Sequence, residues 1–461
     1  MSDAVLTQIE WNEGNPDAAF AKAAAQALPL LLYWGAAWCP PCNRIRASVF
    51  ERADFQALAP AFVALHVDGD SAGAQQLAER FHVRSYPTLI VFRPDGTEIT
   101  RLPCELDGAR FVQIFKLALD ARRTVAESLS AALSRERPLA DDEWRLLSFY
   151  SWDTDERQVL KSLDLAAMLS SMTRACTESD ALLRLEWHTL HAAAMSGKGG
   201  IDQRAAVKRL EETLADPQAV RAQMDIVTNQ AAELVRFLTV PQSPARMRLT
   251  QAWANALERL EVDPGLNLAD QLAALRTRVR MSRLGQPDPD LEAVLRERVA
   301  LASAAVSGPA MRHQVMNTAA GVLSDAGLLD EAEQLLLDEL ERSHVPFFFM
   351  HNLAAIAKKR GDPATAVRWY ERAWDSATGP ATRLQWGATY LQGLIDFAPH
   401  EAPRIDRFAG QLLQEIGGMG DMFCQRNRTQ LERIASKLAV WNGASALASA
   451  LRQATRAAAR N

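Results

Sequence analysis

Up to about residue 120 the chain alternates short apolar runs with longer stretches in which apolar side chains return every three or four positions; after it only the second pattern continues. Residues 4–11 read as a short strand. Asn15 followed by Pro16 offers an N-cap and a first-position proline for a helix over 16–27. A buried strand over 30–34 is followed by a long helix over 39–58, and then by strand 62–67, helix 72–81 and strand 88–93. A turn at Asp95 and Gly96, strand 98–102 and helix 108–119 close the series. Strands joined by helices, then a hairpin and a last helix, predict a compact α/β domain over 1–121.

From 122 to 461 the pattern predicts an all-helical region of about fifteen helices, broken at Pro, Gly and Asp. Shifting the chain by 34 residues against itself pairs Met316 with Met350, Ala320 with Ala354, Gly327 with Gly361 and Ala332 with Ala366. Leu335 falls on Trp369 and Leu336 on Tyr370. In a helical hairpin Gly ends the first helix, Ala lets two helices approach and the bulky residue fills the seam. The period and these roles resemble the tetratricopeptide repeat over 316–379, although Glu339 stands where Ala373 and the repeat carry a small residue.

Composition narrows the classes. The 461 residues are 48% apolar and 23% charged, with 51 basic and 56 acidic side chains and a net charge of −5, which argues against both disorder and a nucleic-acid partner. The longest nearly apolar run, 27–39, contains Pro29 and Gly35 and is shorter than the roughly 20 residues that span a bilayer, so no membrane partner is expected. Asp3, Glu10, Glu13 and Asp17 precede the first base, Lys22, unlike a secretory signal, and a cytoplasmic location is the expectation. Of the cysteines at 39, 42, 104, 176 and 424 only the first two are close in sequence, which reads as redox chemistry or metal binding. A zinc site needs a second ligand pair that the other three do not supply, so neither metal nor cofactor is expected.

Cys39 and Cys42 lie in Trp38-Cys39-Pro40-Pro41-Cys42, where the strand 30–34 gives way to the long helix. At the head of a helix, unpaired N–H groups and the positive end of the dipole stabilise a thiolate, lowering its pKa from about 8.5 into roughly the 3.5–7.5 range. Cys39 is therefore the nucleophile. Pro40 and Pro41 occupy first-turn positions whose N–H groups have no helical partner, and Cys42, three residues on, is the resolving thiol. Attack on a substrate disulfide forms a mixed disulfide at Cys39, which Cys42 displaces.

The Trp-Cys-x-x-Cys motif, the strand order, Tyr86-Pro87 before a buried strand and the Asp95-Gly96 hairpin together resemble the thioredoxin fold over 4–119. The Cys-Pro-Pro-Cys spacer is similar to that of nucleoredoxins and tryparedoxins, and 36–51 to the thioredoxin-like domain that ends membrane thiol-electron transporters. The resemblance implies a cis bond before Pro87, which leaves the backbone of Tyr86 open to an extended substrate, and a covering role for Trp38. It also places Cys104 on the rim of the substrate groove, where a small inert residue is the plain alternative. Tyr33 and Ala64 depart from the family's buried acid and its partner lysine, and a phenol with a pKa near 10 accepts a proton poorly at neutral pH.

These readings predict a thiol-disulfide oxidoreductase acting on protein disulfides, recharged by an upstream dithiol or glutathione, whose helical array binds a client or partner. The alternative is a chaperone or scaffold resembling the chaperedoxins, in which the array binds proteins and the thiols are secondary. His188 and His191 near Glu186, the Gly-rich stretch 196–200, the aromatic stripe Trp369, Tyr370 and Trp374, and Arg452, Arg456 and Arg460 read as helix surface, turn or core.

Overall fold

Five strands form one mixed sheet in the order β1-β3-β2-β4-β5, with β1 Trp11–Glu13, β2 Leu30–Gly35, β3 Val63–Asp68, β4 Thr88–Phe92 and β5 Glu98–Leu102. The computed structural model describes residues 9–155, 158–197 and 200–441, so most of the strand expected at 4–11 lies outside the described residues. Every residue of β2 and β4 is buried, which is why these two segments read as continuous apolar runs and occupy the sheet's interior. At one edge β1 pairs parallel to β3, Trp11 opposite Ala64. At the other, β4 and β5 pair antiparallel, Leu89 opposite Leu102, through a turn in which Gly96 adopts φ +87°.

The helices follow local chemistry where that chemistry is sufficient. Helix α1, Pro16–Gln26, is capped by Asn15, whose Oδ1 accepts from Ala18 N at 3.1 Å. The last helix of the domain, Gly108–Leu119, is capped by Asp107 and buries Phe111 and Phe115 against Phe55 and Phe62. The long helix expected over 39–58 is instead broken into α2, Pro40–Ile45, a π-helical turn Arg46–Phe50, and a four-residue helix Ala53–Gln56. Two contacts explain the break. Ser48 Oγ donates to Arg44 O at 2.7 Å inside the turn, and Ser48 O approaches Gly108 so closely that a Cβ there would lie 2.1 Å from it. The side-chain amide of Gln56 then caps Phe50 O.

From Val125 to Val440 the described residues contain eighteen α-helices of six to eighteen residues and no strand. They are shorter and more numerous than periodicity suggested. Asp216, for example, ends one helix and caps the next, accepting from Gln218 N and Ala219 N, and the helical run breaks again at Gln223 and Gln230. Among the described residues no helix is long and apolar enough to cross a membrane.

Two compact units emerge, and neither follows chain order. One comprises Pro40–His66, Pro87–Leu328 and the described residues up to Tyr33; the other comprises Trp34–Cys39, Val67–Tyr86 and the described residues from Leu329 on. In the first, Trp187 and Trp253, with ring centroids 5.5 Å apart, centre a helical core. In the second, helices Pro346–Lys359 and Pro363–Ser376 pair through Gly361 at φ +75°, with Ala354 and Ala366 fully buried between them. Glu339, at the position that departs from the repeat, is buried with Arg342 3.6 Å away.

Candidate redox site

Strand β2 ends at Gly35, and a tight turn follows in which Cys39 N donates to Ala36 O at 3.2 Å, so that Cys39 immediately precedes the first helical residue, Pro40. Pro40 and Pro41 fall where a helix leaves N–H groups unused, which is why two prolines in succession do not break it. Cys39 and Cys42 are joined as a disulfide. They are 2% and 0% exposed, and Trp38 is 8% exposed, whereas Pro41 is exposed.

Trp38, the residue before the first cysteine, is held by Asp70, two residues beyond the end of β3. Its Oδ2 accepts from Trp38 Nε1 at 2.6 Å, and its two oxygens also accept from the backbone N–H and hydroxyl of Thr382. Burial pushes the Asp70 carboxyl up, against the pull of those donors. The Trp38 and Tyr86 rings lie 5.4 Å apart, and the Arg426 guanidinium sits 5.4 Å and 4.6 Å from their centroids. Burial pushes the Tyr86 hydroxyl up to about 12, Arg426 opposing it. Gly69 is required here by close approach, since a Cβ would fall 2.0 Å from the Tyr86 oxygen.

Beyond Cys42, Arg44 is 6% exposed and its guanidinium is fully engaged. It holds Asp270 through two bonds of 2.6 and 3.0 Å and donates to the carbonyls of Cys104, Glu105 and Leu106 at 2.9, 3.2 and 3.1 Å. That clamp fixes the loop carrying Cys104, whose Sγ lies 3.6 Å from Pro87 O. Burial, with Glu105 adding and Arg44 opposing, pushes the Cys104 thiol far above its ordinary range, so it is protonated at neutral pH. Where the thioredoxin pattern has an acid, Tyr33 is 4% exposed in an aromatic cluster, stacked on His66 at 4.9 Å and edge-on to Trp11 and Phe50.

Of the residues singled out from the sequence, Trp38, Cys39 and Tyr86 belong to one unit, and Pro40, Pro41, Cys42, Pro87 and Cys104 to the other. Sequence reasoning missed Arg44, Asp70, Asp270, Thr382 and Arg426. No local signal pointed to them: helix Pro380–Phe397 starts after Gly379 just as helix Pro309–Ala326 starts after Gly308, and neither start carries a capping side chain of its own. His188 is pushed down to about 3 by burial and by Arg184, and stays neutral. Trp374 and Tyr370 are buried core. Arg452, Arg456 and Arg460, with residues 198–199 of the Gly-rich stretch, lie outside the described residues.

Sheet order, a cysteine pair at the head of a helix and a proline before β4 define a thioredoxin-like domain. The family described as thioredoxin-like domain matches residues 16–119. Over 106 residues the chain is 34% identical to the thiol:disulfide interchange protein DsbD 1 of Pseudomonas aeruginosa, covering 22% of this chain and 18% of that protein, so it spans less than a fifth of that relative's length. Among solved structures it is similar to DsbH oxidoreductase, with a TM-score of 0.24 and 18% identity, covering 26% of this chain and 92% of the other.

Proposed function

We propose that the chain is a thiol-disulfide oxidoreductase whose dithiol reduces protein disulfides. One observation carries the reading: Cys39 and Cys42 form a disulfide at the junction of a fully buried strand and a helix, inside a thioredoxin-like domain. In the reduced state the Cys39 thiolate attacks one sulfur of a client disulfide, and the S–S electron pair leaves with the other sulfur, which takes a proton. Cys42 then attacks Cys39 Sγ, releasing the client as a dithiol and restoring the intramolecular disulfide. Two electrons have passed to the client, and an external dithiol or glutathione returns them. The Tyr33 phenol, packed among rings, is a poor proton acceptor for Cys42 at neutral pH.

The proposal includes a cytoplasmic setting, where thiols are held reduced, and a helical region, tetratricopeptide-like over 316–379, that holds the partner protein near the dithiol. The left-handed glycines Gly327 and Gly361 and the buried alanines Ala320, Ala332, Ala354 and Ala366 support the second element. The test is a Cys42→Ser trap in the full chain. Reductant-sensitive adducts on Cys39 are expected, lost in Cys39→Ser and identified by mass spectrometry. A folded Cys42→Ser protein that yields none would remove the enzyme reading and leave the scaffold role.

A further inference from the structure

In the unit that joins residues 34–39 and 67–86 to the C-terminal helices, five of the described helices start at a residue that makes no side-chain capping bond, and three of these are capped by a segment distant in sequence. Helix Pro380–Phe397 starts after Gly379, and Asp70 supplies the missing carboxylate, accepting from Thr382 N at 2.8 Å and from the Thr382 hydroxyl. Helix Ala74–Arg80 starts after Gly73, and Asp421 accepts from Gln75 N at 3.0 Å. Helix Gln425–Val440 starts after Cys424, which makes no capping bond, and Gln75 Oε1 accepts from Arg426 N at 3.2 Å. Caps are thus exchanged in both directions between the segment after β3 and the C-terminal helices. Gly379 permits it: at φ +85°, with a would-be Cβ only 2.9 Å from Asp70 Cγ, no other residue fits without displacement.

The exchange reaches the site through two side chains. The Asp70 oxygen that accepts from the Thr382 hydroxyl also holds the Trp38 indole, and Arg426, from the helix capped by Gln75, lies over the rings of Trp38 and Tyr86. Trp38 precedes Cys39 and Tyr86 precedes Pro87, so the residues flanking the thiol are held by helical residues more than 290 positions away in sequence, while Cys39 is 2% exposed.

We propose that this exchange of caps is a releasable cover over the dithiol, with Asp70 as the positioning residue that ties Trp38 to helix Pro380–Phe397, and that it makes the site discriminate by size. Small disulfides need only local movement of Trp38. A disulfide in a folded protein reacts only from the fraction of molecules in which the caps have parted, so its rate is scaled down by that fraction. The inference rests on the oxidoreductase reading.

Its test compares, in single turnovers of the pre-reduced full chain with no other thiol present, reduction of insulin disulfides with reduction of a nitrobenzoate disulfide. In Asp70→Ala and Thr382→Val, melting curves confirming the fold, the insulin-to-nitrobenzoate rate ratio is expected to rise about tenfold over wild type, the effect of losing roughly one net hydrogen bond from the closed state. Thr382→Ser, which keeps the hydroxyl, retains the wild-type ratio. Should Asp70→Ala fail to fold, Thr382→Val and Arg426→Met decide, with a rise expected in both. An unchanged ratio in the folded variants overturns the cover while leaving the oxidoreductase reading intact. A wild-type chain that reduces neither disulfide overturns both.

Discussion

Two sets of contacts tie the thioredoxin-like segments to helices far away in sequence, and they differ in kind. Around Arg44 the link is a buried, bidentate ion pair with Asp270, both partners 8% exposed at the side chain, reinforced by three carbonyl acceptors. Around Asp70 the link is made of helix caps and a guanidinium over rings, contacts worth about 0.5–2 kcal/mol each and readily replaced by water. Separating the first leaves a bare charge in a dry interior, whereas separating the second exposes groups that water satisfies. Helix α2, which carries Cys42, is thus anchored rigidly, whereas Trp38 and Tyr86 are held by contacts weak enough to part.

The largest expected effect breaks the anchor. Asp270→Ala leaves Arg44 buried without its carboxylate and should lower stability by about 3–5 kcal/mol in chemical denaturation, against about 1–2 kcal/mol for Asp70→Ala. A paired Arg44→Met, Asp270→Leu replacement should recover most of the loss, because the desolvated charges are gone. Equal losses for Asp270→Ala and Asp70→Ala would erase the distinction between anchor and cover.

Acidification probes stability through groups that belong to neither set. Burial pushes His188 down to about 3 and His351 to about 4, and the buried ring nitrogens His188 Nε2 and His351 Nδ1 have no hydrogen-bond partner. A histidine whose folded pKa lies below its ordinary 6.5 contributes stability in full above that value and loses it as pH falls toward the folded pKa. Stability should therefore drop by on the order of 4 kcal/mol between pH 6.5 and 4.5, about half from each ring, and His188→Leu should roughly halve that slope. A denaturation midpoint independent of pH over this window would contradict the burial of both rings.

The smallest effect concerns the third thiol near the site. With its ionisation pushed far up, Cys104 should resist iodoacetamide in the native reduced chain at pH 8, while Cys39 is alkylated. Comparable rates at the two positions would place Cys104 among the reactive thiols.

Much of the thioredoxin-like fold was legible because it is decided locally. Asn15-Pro16 capped the helix it promised, and strand Glu98–Leu102 and helix Gly108–Leu119 fall at the residues their patterns indicated. The helix over 39–58 failed because its interruption comes from Ser48 meeting Gly108, a contact that periodicity does not encode. The cysteine pair was legible as a motif. Its burial was not, because Asp70, which holds Trp38, is itself held by Thr382 across 312 positions.

The amino-acid sequence by itself determined a dithiol at the head of a helix, an α/β segment followed by helices, and a slightly acidic net charge. All of these depend on residue type and short spacing, which act through local backbone preference and net charge. Tertiary structure alone decided that Arg44 would be neutralised by Asp270 and that Asp70 would cap a helix beginning at Pro380. A carboxylate is equally at home beside any guanidinium or any uncapped N–H, and only packing selects which of them it meets.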